Sequence, residues 1–204
     1  MFESLPLLML RVPAILIALT FHELSHGYVA KALGDPTAES EGRLTLNPLA
    51  HLDPFGAAML LLGPFGWAKP VPVNPIYFTD PMKGMAVVAA AGPAANLLMA
   101  ALTGLFFKFG VVSVNSGLGA FLFILFIINI GLAVFNLLPI YPLDGSRIVM
   151  AFLKGQQLTT YVEAMRVVPM IFLGMIVVEW MFKIPILSRL FGPVFKLAYK
   201  LFIT

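Results

Sequence analysis

Charged residues are scarce in this chain, and cysteine is absent. Only 11% of the 204 residues are charged, whereas 60% are apolar. Soluble domains carry about 25% charged residues, so this composition excludes an ordinary soluble protein. Because there is no cysteine, disulfides and thiolate metal sites are excluded as well. Any metal must therefore be held by nitrogen and oxygen ligands.

The basic residues are scattered singly along the chain and form no Lys/Arg cluster, although the formal net charge is +3. This distribution is typical of residues that anchor the ends of membrane helices. It is not typical of a surface that binds nucleic acid. We therefore expect the lipid bilayer as a partner and no nucleic acid.

Long apolar runs predict helices that cross a membrane. In lipid every backbone polar group must be paired within the protein, which restricts spans to helices or closed barrels. The runs are longer than the ten-residue alternating segments of barrel strands. The predicted spans are 6–33, 82–109, 118–138 and 161–182, and the apolar tail 186–204 fits either a further crossing or an interfacial helix. The fold class is an all-α bundle of about four to six membrane helices.

One polar stretch, residues 34–81, interrupts the apolar pattern. Glycine and proline in GDP at 34–36 end the first helix. Prolines at 70, 72 and 75 exclude a helix and favour extended segments. Lysine and arginine residues flank this stretch, which places it in the cytoplasm. We predict a small β-containing loop on the cytoplasmic side.

Two histidines and a glutamate interrupt the first apolar run, in the segment HELSH at 22–26. On a helix, His22 and His26 share a face and can bind one zinc ion, while Glu23 can act on a zinc-bound water. Ionisable groups in a membrane helix are costly unless partnered, and a divalent metal is an efficient partner. The alternatives are a chance motif, two hydrogen-bonded core histidines, or a proton relay.

A catalytic zinc site of this kind needs a third protein ligand. The residues after HELSH lack the further glycine and histidine of the metzincin motif. The remaining candidates are Glu39, Glu41, His51, Asp53 and Asp144. The last of these differs from the others because it directly follows a charge-free span, although an aspartate there could equally cap the next short helix.

HELSH in the first span and NLLPIYPLDG at 136–145 after a later span together resemble the site-2 protease family of intramembrane zinc metalloproteases. Further matches are AAGPAANLL at 90–98, GRLTLNPLAHLDPFG at 42–56 and FGWAKPVPVNP at 65–75. These look like the small group within the family that lacks a PDZ or CBS domain. The resemblance covers roughly residues 15–154.

The resemblance implies a ligand set and a base. His22, His26 and Asp144 would hold one zinc ion per chain, and Glu23 would be the general base. The family pattern also makes Asn96 and Asn136 polar groups beside the site. For the second asparagine, a side chain that bonds a carbonyl freed near the proline turn is an equally good interpretation.

The expected activity is hydrolysis of peptide bonds within or near transmembrane segments, so the expected partners are transmembrane protein or peptide substrates. We expect one membrane-embedded domain over 1–204, with a catalytic core at 6–154 and additional helices at 161–204. It should lie in the cell membrane of a prokaryote, with the site accessible from the cytoplasm. An unwound substrate could add as a strand to an edge offered by RLTLN at 43–47 and VPVNPIYF at 71–78. The rival function is a transporter that conducts protons or divalent cations through the same ionisable residues.

Overall fold

The computed structural model describes residues 5–62 and 66–203. Within these ranges the regular structure is helical. The helices are α1 (Leu5–Ala32), α2 (Thr37–Ser40), α3 (Pro54–Leu62), α4 (Pro81–Lys108), α5 (Gly117–Asn136), α6 (Asp144–Met150), α7 (Gln156–Ala164), α8 (Val168–Phe182) and α9 (Leu187–Phe202). Short 3-10 turns occupy Pro48–His51 and Pro75–Tyr77.

Four helical segments in the described residues are long and apolar enough to cross a membrane. They are Leu5–Ala32, Pro81–Lys108, Gly117–Asn136 and the pair α7 and α8 at Gln156–Phe182. Two of these begin at capping side chains: Asp80 accepts a hydrogen bond from the N–H of Lys83, and Ser116 accepts one from the N–H of Gly119. The predicted all-α, multi-span architecture is confirmed.

The last third of the chain differs in detail from the prediction. The predicted helix over 161–182 is two helices, which break at 165–167. Pro169 accounts for the break, because it has no N–H to bond the carbonyl of Met165 one turn earlier. The tail forms α9, whose 16 residues span about 24 Å. This helix packs Phe202 against Phe126 of α5 and lies close to Gly104 of α4.

Helix α4 lies at the centre of the fold and contacts α1, α5, α6 and α9. Small residues on α4 allow this close packing, as expected for helices in a membrane. Three buried clusters hold the helices together, and they centre on Ala14 and Leu125, on Ala30 and Val88, and on Phe126. The central helix thereby fixes the distance between α1 and the chain that follows α5.

The predicted β-containing loop is not found in the described residues. The segment between α1 and α4 contains α2, α3 and two 3-10 turns, and its β structure is one isolated bridge between Leu52 and Ala68. Five prolines lie in the described part of this segment after residue 47, and each lacks the N–H that a strand ladder needs. RLTLN at 43–47 forms no strand, so the proposed edge for substrate addition is not available there.

This interhelical segment lies along one side of α1. Leu44 reaches the backbone of α1 at Gly27, where an added Cβ would lie 2.5 Å from the leucine side chain. Further toward the start of α1, Leu52 and Ile15 line an apolar cavity of about 120 Å³. His51 is buried between these points and bonds the carbonyl of Thr45 through Nε2 at 2.8 Å. The segment therefore covers the half of α1 that carries HELSH.

Asp35 anchors the segment to the end of α1. Its side chain is fully buried, accepts hydrogen bonds from the N–H and hydroxyl of Thr37, and accepts another from the N–H of Asn74 at 2.7 Å. Burial opposes ionisation of Asp35, but these hydrogen bonds outweigh it and lower the pKa of the carboxyl group below its ordinary value. The carboxylate therefore joins two parts of the loop that are distant in sequence.

We predict that Asp35→Asn lowers the free energy of unfolding by about 1–3 kcal/mol at neutral pH, because three donors lose a charged acceptor. Since the pKa is lower in the folded state, the charge stabilises fully above about pH 4, the unfolded-state value, and this stabilisation is lost as pH falls through the folded-state pKa. The difference between wild type and variant should therefore shrink at pH 3. Thermal unfolding in detergent at both pH values measures this.

Asp53→Asn is the matched control, because Asp53 accepts a hydrogen bond from the backbone N–H of Gly56 at 2.7 Å as a helix cap. A smaller loss is expected for this variant. Equal losses for the two variants would contradict an anchoring role for Asp35.

Candidate metal centre

Three donor atoms from two separate parts of the chain converge between α1, α4 and α6. The Nε2 atoms of His22 and His26 lie 3.0 Å apart, and Oδ2 of Asp144 lies 3.2 and 3.3 Å from them. All three residues are less than 10% exposed. The helical spacing of HELSH places both imidazoles on one face of α1, and the start of α6 brings the carboxylate to that face.

The second nitrogen of each imidazole is already committed. Nδ1 of His26 lies 2.7 Å from the carbonyl oxygen of Val88, which can only accept. Nδ1 of His22 lies 2.6 Å from Oδ1 of Asn96, and the amide nitrogen of that asparagine donates elsewhere. Both Nδ1 atoms must therefore carry the proton in the neutral rings, so both Nε2 atoms present bare lone pairs.

Asn96 belongs to a buried chain of amides that joins three helices. It donates to the carbonyl of Ala18 on α1 at 3.1 Å and to Oδ1 of Asn129 on α5 at 2.8 Å. Asn129 in turn donates to the carbonyl of Leu125 at 2.8 Å. Both asparagines have no exposed surface. The amide chain fixes the orientation of His22, as partners behind a metal ligand commonly do.

The sequence predicts Asn129 to be a helix-packing residue and does not show that it supports the centre. It lies in the apolar run of α5 and belongs to none of the motifs. A buried amide in a charge-free span is a signal in principle, because lipid-embedded polar groups need partners. The sequence gives no indication of which helix supplies that partner.

Gly92 lets α4 approach the two histidines. A Cβ added at this position would lie 2.5 Å from Nε2 of His26 and 2.6 Å from Nε2 of His22. Contacts this short are not found for real Cβ atoms, and these are the nitrogens that face the centre. The glycine of AAGPAANLL is therefore required by the close approach between α4 and the ligand atoms.

Asp144 is positioned by a tight turn between α5 and α6. A Cβ at Gly145 would meet the backbone oxygens of Leu137 and Leu138 at 2.3 and 2.4 Å, so only glycine lets α6 pack on the end of α5. Ser146 is fully buried and donates its hydroxyl to the carbonyl of Leu143 at 2.7 Å. The serine that follows Gly145 thus has a local partner.

The donor set fits a divalent metal ion. Oδ2 of Asp144 is buried without a hydrogen-bond partner, and it faces two nitrogens that carry no proton. Acceptors held this closely need a cation between them. Tetrahedral zinc with ligands at about 2.0–2.1 Å separates its ligand atoms by about 3.3 Å, close to the three distances observed. Within the described residues, His22, His26 and Asp144 form the group of side chains that lie close enough together to share a metal ion.

The other candidate ligands are engaged elsewhere. Glu39 pairs with Lys31 at 2.6 Å on the exposed surface. His51 bonds Thr45, and Asp53 caps Gly56. Glu41 lies in the exposed turn after α2. The structure therefore brings Asp144, and none of these four, to the two histidines.

Glu23 and Asn136 are placed differently from the three donors. Glu23 is buried next to the centre and accepts a hydrogen bond from the backbone N–H of Val71 at 2.9 Å. Asn136 is half-buried at the end of α5 and donates to the carbonyl of Leu132 at 3.0 Å, in its own helix. The carbonyl of Leu132 lies one turn earlier in α5 and not in the proline turn, so this bond supports neither interpretation of Asn136, and a role for it beside the site stays a prediction.

Comparisons with known proteins indicate the family of the chain. The sequence profile described as peptidase family M50 matches residues 107–177. The chain is 42% identical over 156 residues to YwhC of Bacillus subtilis, which is named as a candidate zinc metalloprotease, and the match covers 73% of this chain and 71% of YwhC. The chain belongs to peptidase family M50. The predicted site-2 protease family and the predicted class of enzyme, a metalloprotease, are thus confirmed.

More distant relatives carry the same kind of name. Rip2 of Mycolicibacterium smegmatis is 36% identical over 140 residues, and Rip2 of Mycobacterium tuberculosis is 31% identical over 136 residues. Each match covers 64% of this chain and 52% of the relative. No solved structure matches the chain. Family membership together with four apolar helices makes this M50 protein an integral membrane protein.

We predict that Gly92→Ala lowers metal affinity by at least about tenfold, because the new methyl group would occupy space beside both Nε2 atoms. Gly174→Ala on α8 is the control, since nothing lies within 4 Å of a Cβ built at Gly174. Metal bound per purified chain, measured by mass spectrometry during titration, decides the matter. Equal metal binding by the two variants would show that α4 does not restrict the centre.

We also predict that Asn96→Ala weakens metal binding by about 10–100-fold, because it removes the acceptor that orients His22. Asn115→Ala, in the exposed loop before α5, should leave binding unchanged. Competition with a chelator of known affinity gives the two dissociation constants. Affinities of Asn96→Ala and wild type that agree within twofold would refute the orienting role.

Proposed function

We propose that this M50 protein is an intramembrane zinc endopeptidase that cleaves transmembrane proteins or peptides from the cytoplasmic side of a prokaryotic cell membrane. His22, His26 and Asp144 are the zinc ligands, and Glu23 is the general base. The observation that carries the proposal is the convergence of three buried donor atoms among helices long enough to cross a membrane. The names of the relatives agree with the predicted zinc cofactor.

Zinc bound at this centre would lower the pKa of a water ligand to about 7 and polarise the carbonyl of the scissile bond. Glu23 accepts the proton of the attacking water and later delivers it to the amine that leaves. This glutamate follows His22 directly, so it emerges from α1 beside the ligand face and not on it. Because Glu23 is buried, bulk water does not compete with the attacking water for hydrogen bonds to its carboxylate.

The position of the centre supports cleavage within the membrane. His22 and His26 lie about 15 and 9 Å before the end of α1, at 1.5 Å per residue. A substrate must bring an extended backbone to this point along α1, because a helix hides its carbonyl groups in hydrogen bonds. Helix-breaking residues in the substrate should therefore assist cleavage, so substrates that unwind easily should be preferred.

Charge supports a cytoplasmic opening. Lys31 ends α1 and Lys83 begins α4, so both lie at the end of the bundle nearest the centre. Arg147 lies in α6, three residues after Asp144. Basic residues favour the cytoplasmic side of a membrane. All three flank the metal centre, which supports access from the cytoplasm.

The test compares wild type, Asp144→Ala and Glu23→Gln, each purified in detergent. We expect about one zinc per wild-type chain, a large loss of zinc in Asp144→Ala, and normal zinc in Glu23→Gln. Cleavage of a transmembrane peptide should fall by at least about 100-fold in both variants. Zinc content and mass-spectrometric mapping of the cut give two separate readouts.

Two substrates serve as a matched pair in this test. They differ by a Gly-Gly replacement of Ala-Ala in the apolar span, and each glycine weakens a helix by about 1 kcal/mol. The glycine substrate should be cut up to about 30-fold faster, with the cut inside the apolar span. Normal cleavage by Glu23→Gln, or a wild-type chain that binds no zinc, would refute the proposal.

A further inference from the structure

An extended strap, defined as residues 69–74, crosses the candidate base. It lies between the bridge residue Ala68 and the 3-10 turn at Pro75–Tyr77, and it contains no regular secondary structure. Its sequence, KPVPVN, alternates proline with valine in the middle. The strap is neither a helix nor a paired strand, so contacts with other residues must hold it in place.

Buried side chains clamp both ends of the strap. At the first end, Arg43 donates from Nη2 to the carbonyl of Lys69 at 2.8 Å, and the carbonyl of His51 accepts from the N–H of Lys69 at 2.9 Å. At the other end, Asp35 accepts from the N–H of Asn74 at 2.7 Å. Arg43 is 6% exposed and Asp35 is fully buried. The strap is thus fixed by charges that are themselves shielded from solvent.

The middle of the strap makes one directed contact with the candidate base. Proline has no N–H, so Val71 carries the single backbone donor between Lys69 and Val73. That N–H points at Oε2 of Glu23 at 2.9 Å, in a buried position. The side chain of Val71 is buried against α1, where a Cβ at Gly27 would lie 3.2 Å from it. The donor is therefore aimed by packing as well as by the clamps.

The prolines also make the strap a poor edge for pairing with a substrate strand. Residues 70 and 72 alternate with Val71, so in extended chain their backbone groups point away from Glu23. Neither residue can donate a hydrogen bond to a substrate strand. Strand addition needs donors and acceptors on the exposed edge. The strap is consequently poor at recruiting a substrate by pairing and well suited to holding the glutamate.

We propose that the strap is a positioning device for the base, in which the N–H of Val71 fixes one oxygen of Glu23 so that the other oxygen receives the proton from water. This inference rests on the proposed function of Glu23. A carboxylate has two oxygens and can accept on both at once. Without this donor, the glutamate would be free to leave its buried rotamer, and the chemical step would slow while substrate and metal still bind.

The test removes the donor without removing the side chain. Incorporation of 2-hydroxyisovaleric acid at position 71 by nonsense suppression replaces the N–H by oxygen, and suppression with valine itself gives the matched control. Val71→Pro removes the N–H genetically, while Val71→Ala keeps it and trims the packing. Bound zinc, kcat and KM for a transmembrane peptide are measured for each chain, with Glu23→Gln alongside.

The protein with 2-hydroxyisovaleric acid at position 71 has an ester in place of one amide and is called the ester chain. We expect the ester chain to bind zinc normally, to keep KM within about twofold and to lose kcat by about 10–100-fold. Val71→Ala should retain most of kcat, and the valine control should match wild type. An ester chain whose kcat lies within twofold of the control would overturn the positioning role, whatever the folding of Val71→Pro. If wild type and Glu23→Gln cleave equally, the proposed base itself is wrong and the inference falls with it.

Discussion

The structure depends on one electrostatic constraint: three acceptor atoms lie within 3.3 Å of one another in a region that bulk water hardly reaches. Two are imidazole nitrogens whose protons are held on the opposite side of each ring, and the third is a carboxylate oxygen. Burying such a group without a cation is costly, because no donor repays the lost hydration. The arrangement therefore favours a bound cation, and the surrounding helices shield it from water.

Helix α4 meets this constraint without supplying a ligand. Its glycine at position 92 admits the imidazoles, its carbonyl at Val88 fixes one ring, and Asn96 fixes the other. These three residues recur every four positions, so they share one face of the helix. One face of small and polar residues therefore sets both the spacing and the protonation of the ligands on α1. Helix α4 is therefore essential to the centre, although it has no ionisable residue near it.

The sequence allows prediction of most features that local chemistry decides. Apolar runs predict the spans to within a few residues at most ends, and HELSH identifies two donors and the glutamate. Asp144 required the family resemblance, because spacing alone left five candidates. The β-containing loop was expected from extended-structure propensity, but proline removes the donors that pairing needs. Asn129 and the bond from Val71 to Glu23 were missed because they join residues that are distant in sequence and depend on how helices pack.

The order of the proposed metal ligands along the chain has a consequence for biosynthesis. His22 and His26 enter the membrane with the first helix, whereas Asp144 follows only after α4 and α5 have been made. Because zinc affinity depends on a complete ligand set, a nascent chain that has inserted only its first spans holds the metal weakly. If these residues hold zinc as proposed, the centre is complete only after α4 and α5 have been made. A partly synthesised chain would then lack hydrolytic activity until the bundle closes.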